Sequence, residues 1–230
     1  MKICFVIPTY NDEASLKKLI DNINKELKNF TLNFVIVDDC SQDDYKTLKN
    51  TKKIDLIKLD KNQGSQKAIT IGLKYLKNKD LEFDYLIIMD SDGEDKPADL
   101  QSLISEAHKK NNNSIIFASR KKRMEIFTFK FFYFFYKLVF RILTGRKINF
   151  GNYSCIPKKF LNKIVKVSFL KLHFPAAIIK SKLSYSDIPC DKGPRYAGDS
   201  KMSFNNLFVH GFMAFSIFLK EIIIRILIFI

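Results

Sequence analysis

The first half of the chain alternates short apolar runs, rich in β-branched residues, with longer segments in which apolar residues recur every three or four positions. The short runs predict strands at residues 3–7, 34–37, 56–59, 85–89 and 115–118. The longer segments predict amphipathic helices, one over about 65–77 and one carrying the stripe Leu16, Leu19, Ile20, Ile23 and Leu27. This alternation predicts an α/β fold around a mostly parallel sheet.

Polar and acidic residues stand directly after four of the predicted strands. They are Tyr10, Asn11 and Asp12 after the first strand, Asp38 and Asp39 after the second, Asp60 after the third, and Asp90 and Asp92 after the fourth. Ligands of open α/β sheets bind beyond the carboxyl ends of the strands. We therefore expect these side chains to line one crevice.

Composition narrows the class of protein. Hydrophobic residues make up 47% of the 230 residues, enough apolar surface to bury a core, so intrinsic disorder is excluded. The four Cys lack the spacing of a disulfide framework or a zinc knuckle, which predicts reduced thiols. Asp12 and Glu13 closely follow the first apolar run, so we expect no signal peptide and an intracellular chain.

Charge and aromatic residues favour a membrane surface as partner. Lys and Arg outnumber Asp and Glu by 39 to 24, and the net charge of +15 suits either nucleic acid or an anionic membrane. Eight basic and nine aromatic residues lie between 121 and 147, with one acid. Lys130, Lys137 and Arg141 share a helical face beside an apolar face, which predicts an interfacial helix over 126–144. No nucleic-acid partner is expected, because the sequence has no recognition helix or aromatic strand motif.

The end of the chain is apolar. Residues 202–219 contain no charged side chain, although Ser203, Asn205, Asn206 and His210 make them too polar for a typical spanning helix. We interpret 204–230 as a helical tail that lies on or partly enters a membrane. The alternative is a core helix of a soluble oligomer, and self-association is left open. The predicted division is a core over 1–125, an acceptor-side region over 126–203 and this tail.

The segment 84–97, DYLIIMDSDGEDKP, carries the most chemistry. Asp90, Asp92 and Glu94 follow a buried strand, and carboxylates at this spacing suit Mg²⁺ or Mn²⁺ shared with substrate phosphates. An acidic turn that only caps the next helix is the competing interpretation. No Gly-x-Gly-x-x-Gly or Gly-Lys-Ser/Thr loop follows any predicted strand, so Rossmann dehydrogenases and P-loop kinases are poorly supported.

Five blocks in order make the chain resemble the family 2 glycosyltransferases, which have the GT-A fold. They are VIPTYND (6–12), FVIVDDCS (34–41), NQGSQKAITIGL (62–73), DYLIIMDSDGEDKP (84–97) and FASR (117–120). Two further segments, GNYSCIPKKFL (151–161) and RYAGDSKMS (195–203), are similar to the polyprenyl-phosphate glycosyltransferases. That group includes dolichol-phosphate mannose synthases and bactoprenol glucosyltransferases. The resemblance covers nearly the whole chain.

The resemblance implies a donor site built from matching residues. Pro8, Tyr10, Asp12 and Asp39 would line the nucleotide pocket, and Asp90 would help to hold the donor. The cations and hydroxyl that would close over its diphosphate are Arg195, Ser200 and Lys201.

The resemblance also implies a metal and an acceptor site. Asp92 and Glu94 would ligate the metal on the diphosphate, although members of the narrower group often carry Gln where Glu94 stands. Arg120 would face the acceptor phosphate.

Asn152 departs from the family pattern, because many relatives carry Asp after the glycine at 151. An Asn cannot act as a general base. A phosphate acceptor removes the need for one, because a phosphomonoester is already an anionic nucleophile at neutral pH. Catalysis would then rest on positioning and charge stabilisation. The candidate catalytic residues are Asp90, Asp92, Arg120 and Asn152.

The predicted function is metal-dependent, inverting transfer of a sugar from a UDP- or GDP-sugar to a polyprenyl phosphate at the cytoplasmic membrane face. The first alternative is transfer to a hydroxyl of a glycan or lipid, which needs a base that Asn152 does not provide. The second is a catalytically silent membrane adaptor with the same fold. Three acids and two cations predicted at one cleft argue against the adaptor, although fold alone would not decide.

Overall fold

The computed structural model describes residues 1–45, 48, 53–79, 81–120, 138–198 and 204–229. Its strands are β1 (Lys2–Thr9), β2 (Thr31–Asp38), β3 (Ile54–Lys58), β4 (Tyr85–Ile88), β5 (Ile115–Arg120), β6 (Phe150–Pro157) and β7 (Tyr185–Cys190). Its helices are α1 (Glu13–Glu26), α2 (Ser65–Asn78), α3 (Leu100–Lys109), α4 (Leu161–Ile164), α5 (Phe174–Ser181), α6 (Phe204–Ile217) and α7 (Leu219–Phe229). The predicted α/β class, the five predicted strands and the two predicted helices are confirmed, with ends that differ by a few residues.

The described strands form one seven-stranded sheet in the order β3-β2-β1-β4-β6-β5-β7. β6 alone among them runs against its neighbours, because it pairs antiparallel with both β4 and β5, whereas the other pairs are parallel. Its amino end therefore meets the carboxyl ends of the adjacent strands. Ile88 lies opposite Ser154 in this register, which brings Asp90 to Asn152. The 126–203 region thus adds β6 and β7 to the same sheet as the core.

Helices cover both faces of the sheet because each strand buries side chains on both sides. Along β1, Phe5 packs in the layer of α1 and α3, while Val6 packs in the layer of α2, α5 and α6. α2 approaches β1 closely at Gly72, where a Cβ atom would lie 2.7 Å from the Val6 side chain. This close approach holds the middle of α2 against β1.

The predicted helical tail is present as α6 and α7, and residues 138–144 are also helical. The remainder of the predicted interfacial helix, residues 126–137, lies outside the described residues. Phe140 is buried against α6, with its ring centroid 5.2 Å from that of Phe215. None of the helices in the described ranges is both long enough and apolar enough to cross a membrane.

Candidate active site

Loops from four strands meet at the carboxyl edge of the sheet. The loops after β1 and β2 are joined, because the Asn11 backbone N–H donates to the Ser41 hydroxyl at 2.7 Å. Arg195 lies between Asp12, after β1, and Asp92, after β4. The Asn152 amide at the start of β6 donates to Asp90 at 3.3 Å. The structure therefore brings the candidate residues of these loops to one crevice.

Three residues predicted to line the nucleotide pocket differ in exposure. Pro8 is buried within β1, whereas the Tyr10 side chain is 40% exposed at the rim. Asp39 is buried, and its two carboxylate oxygens accept the backbone N–H groups of Gln63 and Gly64, each at 2.7 Å. Gly64, with φ of +85°, starts α2. Asp39 thus fixes the loop that begins α2, a structural contact that the sequence did not predict.

Asp92 and Glu94 form an acidic turn whose charges are matched by two cations. Arg195 Nη1 donates to Asp92 Oδ2 at 2.7 Å, and Lys192 Nζ lies 2.6 Å from Glu94 Oε2. Burial away from water, with repulsion from Asp90 and Glu94, raises the pKa of Asp92 to about 6, although Arg195 opposes the shift. The turn therefore concentrates negative charge that attracts cations.

A strap, residues 191–198, carries both cations and lies over the acidic turn. The backbone N–H groups of Gly193 and Tyr196 donate to the carbonyls of Glu94 and Asp92 at 2.8 and 2.9 Å. The Tyr196 ring lies so close to Gly93, whose φ is +85°, that a Cβ atom there would be 2.4 Å from it. Glycine is therefore required at position 93, both for its backbone conformation and for this contact.

Asp90 is held from a different direction. Its carboxylate accepts from Asn152 Nδ2, and Asn152 Oδ1 in turn accepts from Gln66 Nε2 at 3.0 Å. Gln66 is 6% exposed and stands on the stripe of α2 that otherwise carries Ile69 and Leu73. Sequence reasoning assigned Gln66 no role. A polar residue on the buried stripe of an amphipathic helix was the signal that could have identified it.

The structure describes only some of the other predicted residues. Arg120 ends β5, but its side chain is not described, and Ser200 and Lys201 lie outside the described residues, so their roles stay predictions. His173, which we expected to have a packing or acceptor-site role, caps α5 by accepting from the Ala176 backbone N–H. Within the described ranges, no group of three or more His, Cys, Asp or Glu side chains is arranged to hold a metal.

Comparisons with solved structures show the fold. The chain is similar to glucosyl-3-phosphoglycerate synthase from Mycobacterium tuberculosis, crystallised with Mn²⁺, UDP-glucose and phosphoglyceric acid, with a TM-score of 0.65 and 12% identity over 96% of this chain and 79% of that one. It is also similar to mannosyl-3-phosphoglycerate synthase from Rubrobacter xylanophilus, with a TM-score of 0.66 and 10% identity over 96% of this chain and 74% of that one. The fold is therefore GT-A.

Comparisons with curated proteins and with family models show the family. The chain is 25% identical to an uncharacterized glycosyltransferase of Synechocystis sp., over 94% of this chain and 70% of that protein. It is 25% identical to the undecaprenyl-phosphate 4-deoxy-4-formamido-L-arabinose transferase of Salmonella choleraesuis, over 90% of this chain and 64% of that protein's length. The model of glycosyl transferase family 2 matches residues 4–167. With the crevice at the sheet edge and the GT-A fold, this match establishes that the chain belongs to glycosyltransferase family 2.

Proposed function

We propose that this glycosyltransferase moves a sugar from a nucleotide-sugar to a polyprenyl phosphate at a membrane surface. The observation that carries the proposal is the amide of Asn152, which stands beside Asp90 and cannot accept a proton as a general base. An acceptor that is already anionic needs no base, whereas a hydroxyl acceptor does. The name of the Salmonella relative, an undecaprenyl-phosphate transferase, supports the same class of acceptor.

The acidic turn fits a divalent cation held together with the donor diphosphate. Asp92 is a largely buried carboxylate that pairs with Arg195 and is repelled by Asp90, so a cation is favoured there. Mg²⁺ and Mn²⁺ are typically held by one or two carboxylates with substrate phosphates, and Asp92 and Glu94 supply that number. Such a cation would neutralise charge on the departing nucleoside diphosphate. The M. tuberculosis neighbour was crystallised with Mn²⁺ and UDP-glucose.

Arg195 has a further part in the proposal. Among the described residues, its buried Nε has no hydrogen-bond partner, while its two Nη atoms face Asp92 and Asp12. A guanidinium can move from a carboxylate to a phosphate without losing its charge-assisted hydrogen bonds. We expect Arg195 to exchange Asp92 for the donor diphosphate when the cation takes its place at Asp92.

The reaction follows from these positions. An oxygen of the acceptor phosphate attacks the anomeric carbon of the sugar, and the bond from that carbon to the nucleoside diphosphate breaks, which inverts the carbon. Arg120, at the end of β5, is the residue that we expect to bind the acceptor phosphate. Asp90 and Asn152 would hold the sugar between the nucleoside diphosphate and the acceptor phosphate.

A membrane surface suits the exposed face formed by residues 138–144, α6 and α7. Large apolar side chains are exposed there, namely Leu138, Ile142, Phe212, Leu219, Ile223, Ile226, Leu227 and Ile228. Basic side chains border them and are also exposed, including Arg141, Arg146, Lys147 and Lys220. An apolar face with a basic border matches an anionic lipid surface. The cytoplasmic side of the membrane stays a prediction of the sequence.

The test is transfer in vitro. The full chain is incubated with Mn²⁺, vesicles that contain undecaprenyl phosphate, and a panel of UDP- and GDP-sugars, and the extracted lipids are analysed by mass spectrometry. We expect one donor to add one sugar to the lipid phosphate. Sugar attached to a dephosphorylated polyprenol or to a glycan, with none on the lipid phosphate, would contradict the proposal.

A further inference from the structure

Three consecutive hydrogen bonds connect the backbone of α5 to Asp90. The Phe174 backbone N–H donates to Gln66 Oε1 at 2.5 Å, Gln66 Nε2 donates to Asn152 Oδ1 at 3.0 Å, and Asn152 Nδ2 donates to Asp90 Oδ1 at 3.3 Å. These contacts bring together α5, α2, β6 and the turn after β4. We call them the amide relay.

The direction of the amide relay is fixed at its first member. A side-chain amide can present either its oxygen or its NH₂ group, but a backbone N–H can only donate. Gln66 must therefore turn its oxygen to Phe174 and its NH₂ group to Asn152. Asn152 must then turn its oxygen to Gln66 and its NH₂ group to Asp90. The relay delivers a hydrogen-bond donor to the carboxylate and never an acceptor.

Gln66 is a buried amide on a stripe of α2 whose other buried members are apolar. A buried amide gains little over an apolar side chain of the same shape, because its hydrogen bonds only replace those it made with water. The stripe of α2 elsewhere uses Ile69, Leu73 and Leu76 to pack against the sheet. The N-cap contact of His173 with Ala176 fixes the first turn of α5, and with it the Phe174 N–H.

We infer that Gln66 is a positioning residue that acts through Asn152 to hold the Asp90 carboxylate in one orientation at the donor site. The inference rests on the proposed glycosyl transfer and adds to it a residue that lies 86 positions from Asn152, through which it acts. Asn152 is then a fixed hydrogen-bond donor. Its amide, which cannot act as a base, instead orients the Asp90 carboxylate.

The test is a double-mutant cycle between Gln66 and Asn152. Gln66→Glu keeps the acceptor for Phe174 but removes the donor to Asn152, and Gln66→Met removes both while keeping a similar shape. We expect each to lower kcat about 10- to 100-fold, because Asn152 loses the contact that aims its hydrogen bond at the charged Asp90, with the donor KM nearly unchanged. In an Asn152→Ala background, the same Gln66 substitutions should lower kcat no further.

The control is Thr70→Val, which removes a different hydrogen bond, from Thr70 Oγ1 to the Gln66 carbonyl, one turn along α2. It should leave kcat within about twofold, as a substitution outside the relay. Thermal unfolding should show that Gln66→Met is less stable than the wild type, because the buried Phe174 N–H loses its acceptor, but the losses in kcat of the two Gln66 variants should not follow their unfolding temperatures. Equal losses in kcat with and without Asn152, or losses that follow the unfolding temperature, would overturn the inference.

The cycle is run on two reactions with the panel nucleotide-sugar that the wild type turns over. One is lipid transfer, and the other is release of the nucleoside diphosphate by hydrolysis of the donor. If the lipid product is absent but hydrolysis shows the non-additive cycle, the polyprenyl-phosphate acceptor is refuted and the relay stands. If lipid product forms but the cycle is additive, the relay is refuted and the acceptor stands.

Discussion

The amide of Asn152 lies 3.3 Å from a carboxylate oxygen of Asp90, at a position where the family resemblance leads us to expect a carboxylate. Asn152→Asp would set two negative charges side by side, at residues 152 and 90. Gln66, whose NH₂ group donates to residue 152, would remain in contact with the new carboxylate. We expect the rate of transfer to a lipid phosphate to fall about tenfold or more at pH 7, because the repulsion displaces Asp90. Steady-state kinetics measure this.

Asn149→Asp is the matched control, because Asn149 also donates to a carboxylate, Asp187, but on an exposed surface. Its kcat should be unchanged. A large gain of activity in Asn152→Asp toward a hydroxyl acceptor, with none toward polyprenyl phosphate, would contradict the phosphate acceptor and leave only the broader glycosyltransferase.

A second prediction for a single residue concerns Gly93. Gly93→Ala places a methyl group within 2.4 Å of the Tyr196 ring and at a φ of +85°, so we expect the strap to be displaced. Gly64→Ala is the control, because it has the same φ of +85° and nothing within 4 Å of its Cβ. Limited proteolysis of the strap should accelerate in Gly93→Ala and not in Gly64→Ala. Equal proteolysis of the two variants would show that backbone strain, and not the clash with Tyr196, makes the strap accessible to the protease.

At the scale of elements, we expect the strap to compete with a divalent cation for the acidic turn. Removing the guanidinium at 2.7 Å from Asp92 leaves that carboxylate without its counter-charge. We therefore expect Arg195→Ala to bind Mn²⁺ about tenfold more tightly than the wild type in the absence of nucleotide, measured by calorimetry. Asp92→Ala should bind none and should lose transfer activity, and the wild type should lose it in excess chelator.

Lys25→Ala, at the end of α1, removes one positive charge outside the crevice and should leave the affinity unchanged. If Arg195→Ala binds Mn²⁺ no more tightly than Lys25→Ala does, Arg195 and the cation do not share the Asp92 site.

The elements also show what a sequence can and cannot predict. The first five strands, α1 and α2 follow from local patterns of apolar residues, whereas α3 was not predicted. β6 was not predicted, since Gly151, Asn152 and Ser154 interrupt its apolar run. β7 was not predicted because it is an edge strand with Pro189 near its end, as edge strands tolerate. Without β6, its antiparallel direction and the contact of Asn152 with Asp90 could not be predicted.

Some residues of the candidate site could be predicted from the sequence and others could not, for the same reason. Asp12, Asp92 and Arg195 were predicted at one crevice, because motifs place them after strands or in a loop, and the structure joins them. Gln66 was not predicted, because its partner at Phe174 lies 108 positions away and depends on how α5 packs. Contacts set by tertiary packing leave only a weak trace in a single sequence.

At the scale of the whole molecule, the exposed apolar face should bind lipid. Deleting the tail is a poor test, because α6 buries Ala214 and Ile217 in the core. Leu227 and Ile228 are 68% and 75% exposed, so Leu227→Ser with Ile228→Ser should leave the fold intact. We expect sedimentation with anionic vesicles to weaken at least about tenfold, since one fully buried aliphatic side chain contributes about 1.5–3 kcal/mol.

The remaining binding should be sensitive to salt, because basic residues hold it. Phe169→Ser, which changes an exposed apolar residue outside the tail, should bind as the wild type does. Equal sedimentation of all three proteins, or no binding by any of them, would refute the lipid-facing assignment of α7.

The central claim, that a phosphate receives the sugar, is tested most directly by ³¹P NMR of the lipid acceptor during turnover. A phosphomonoester titrates with a second pKa near ~6, whereas a phosphodiester has no such proton. We expect the monoester signal of undecaprenyl phosphate to be replaced by a signal whose position is independent of pH between about 5 and 8. If the nucleotide-sugar is consumed and sugar appears in the lipid while the phosphorus signal still titrates as a monoester, the sugar has gone to another group and the account is wrong.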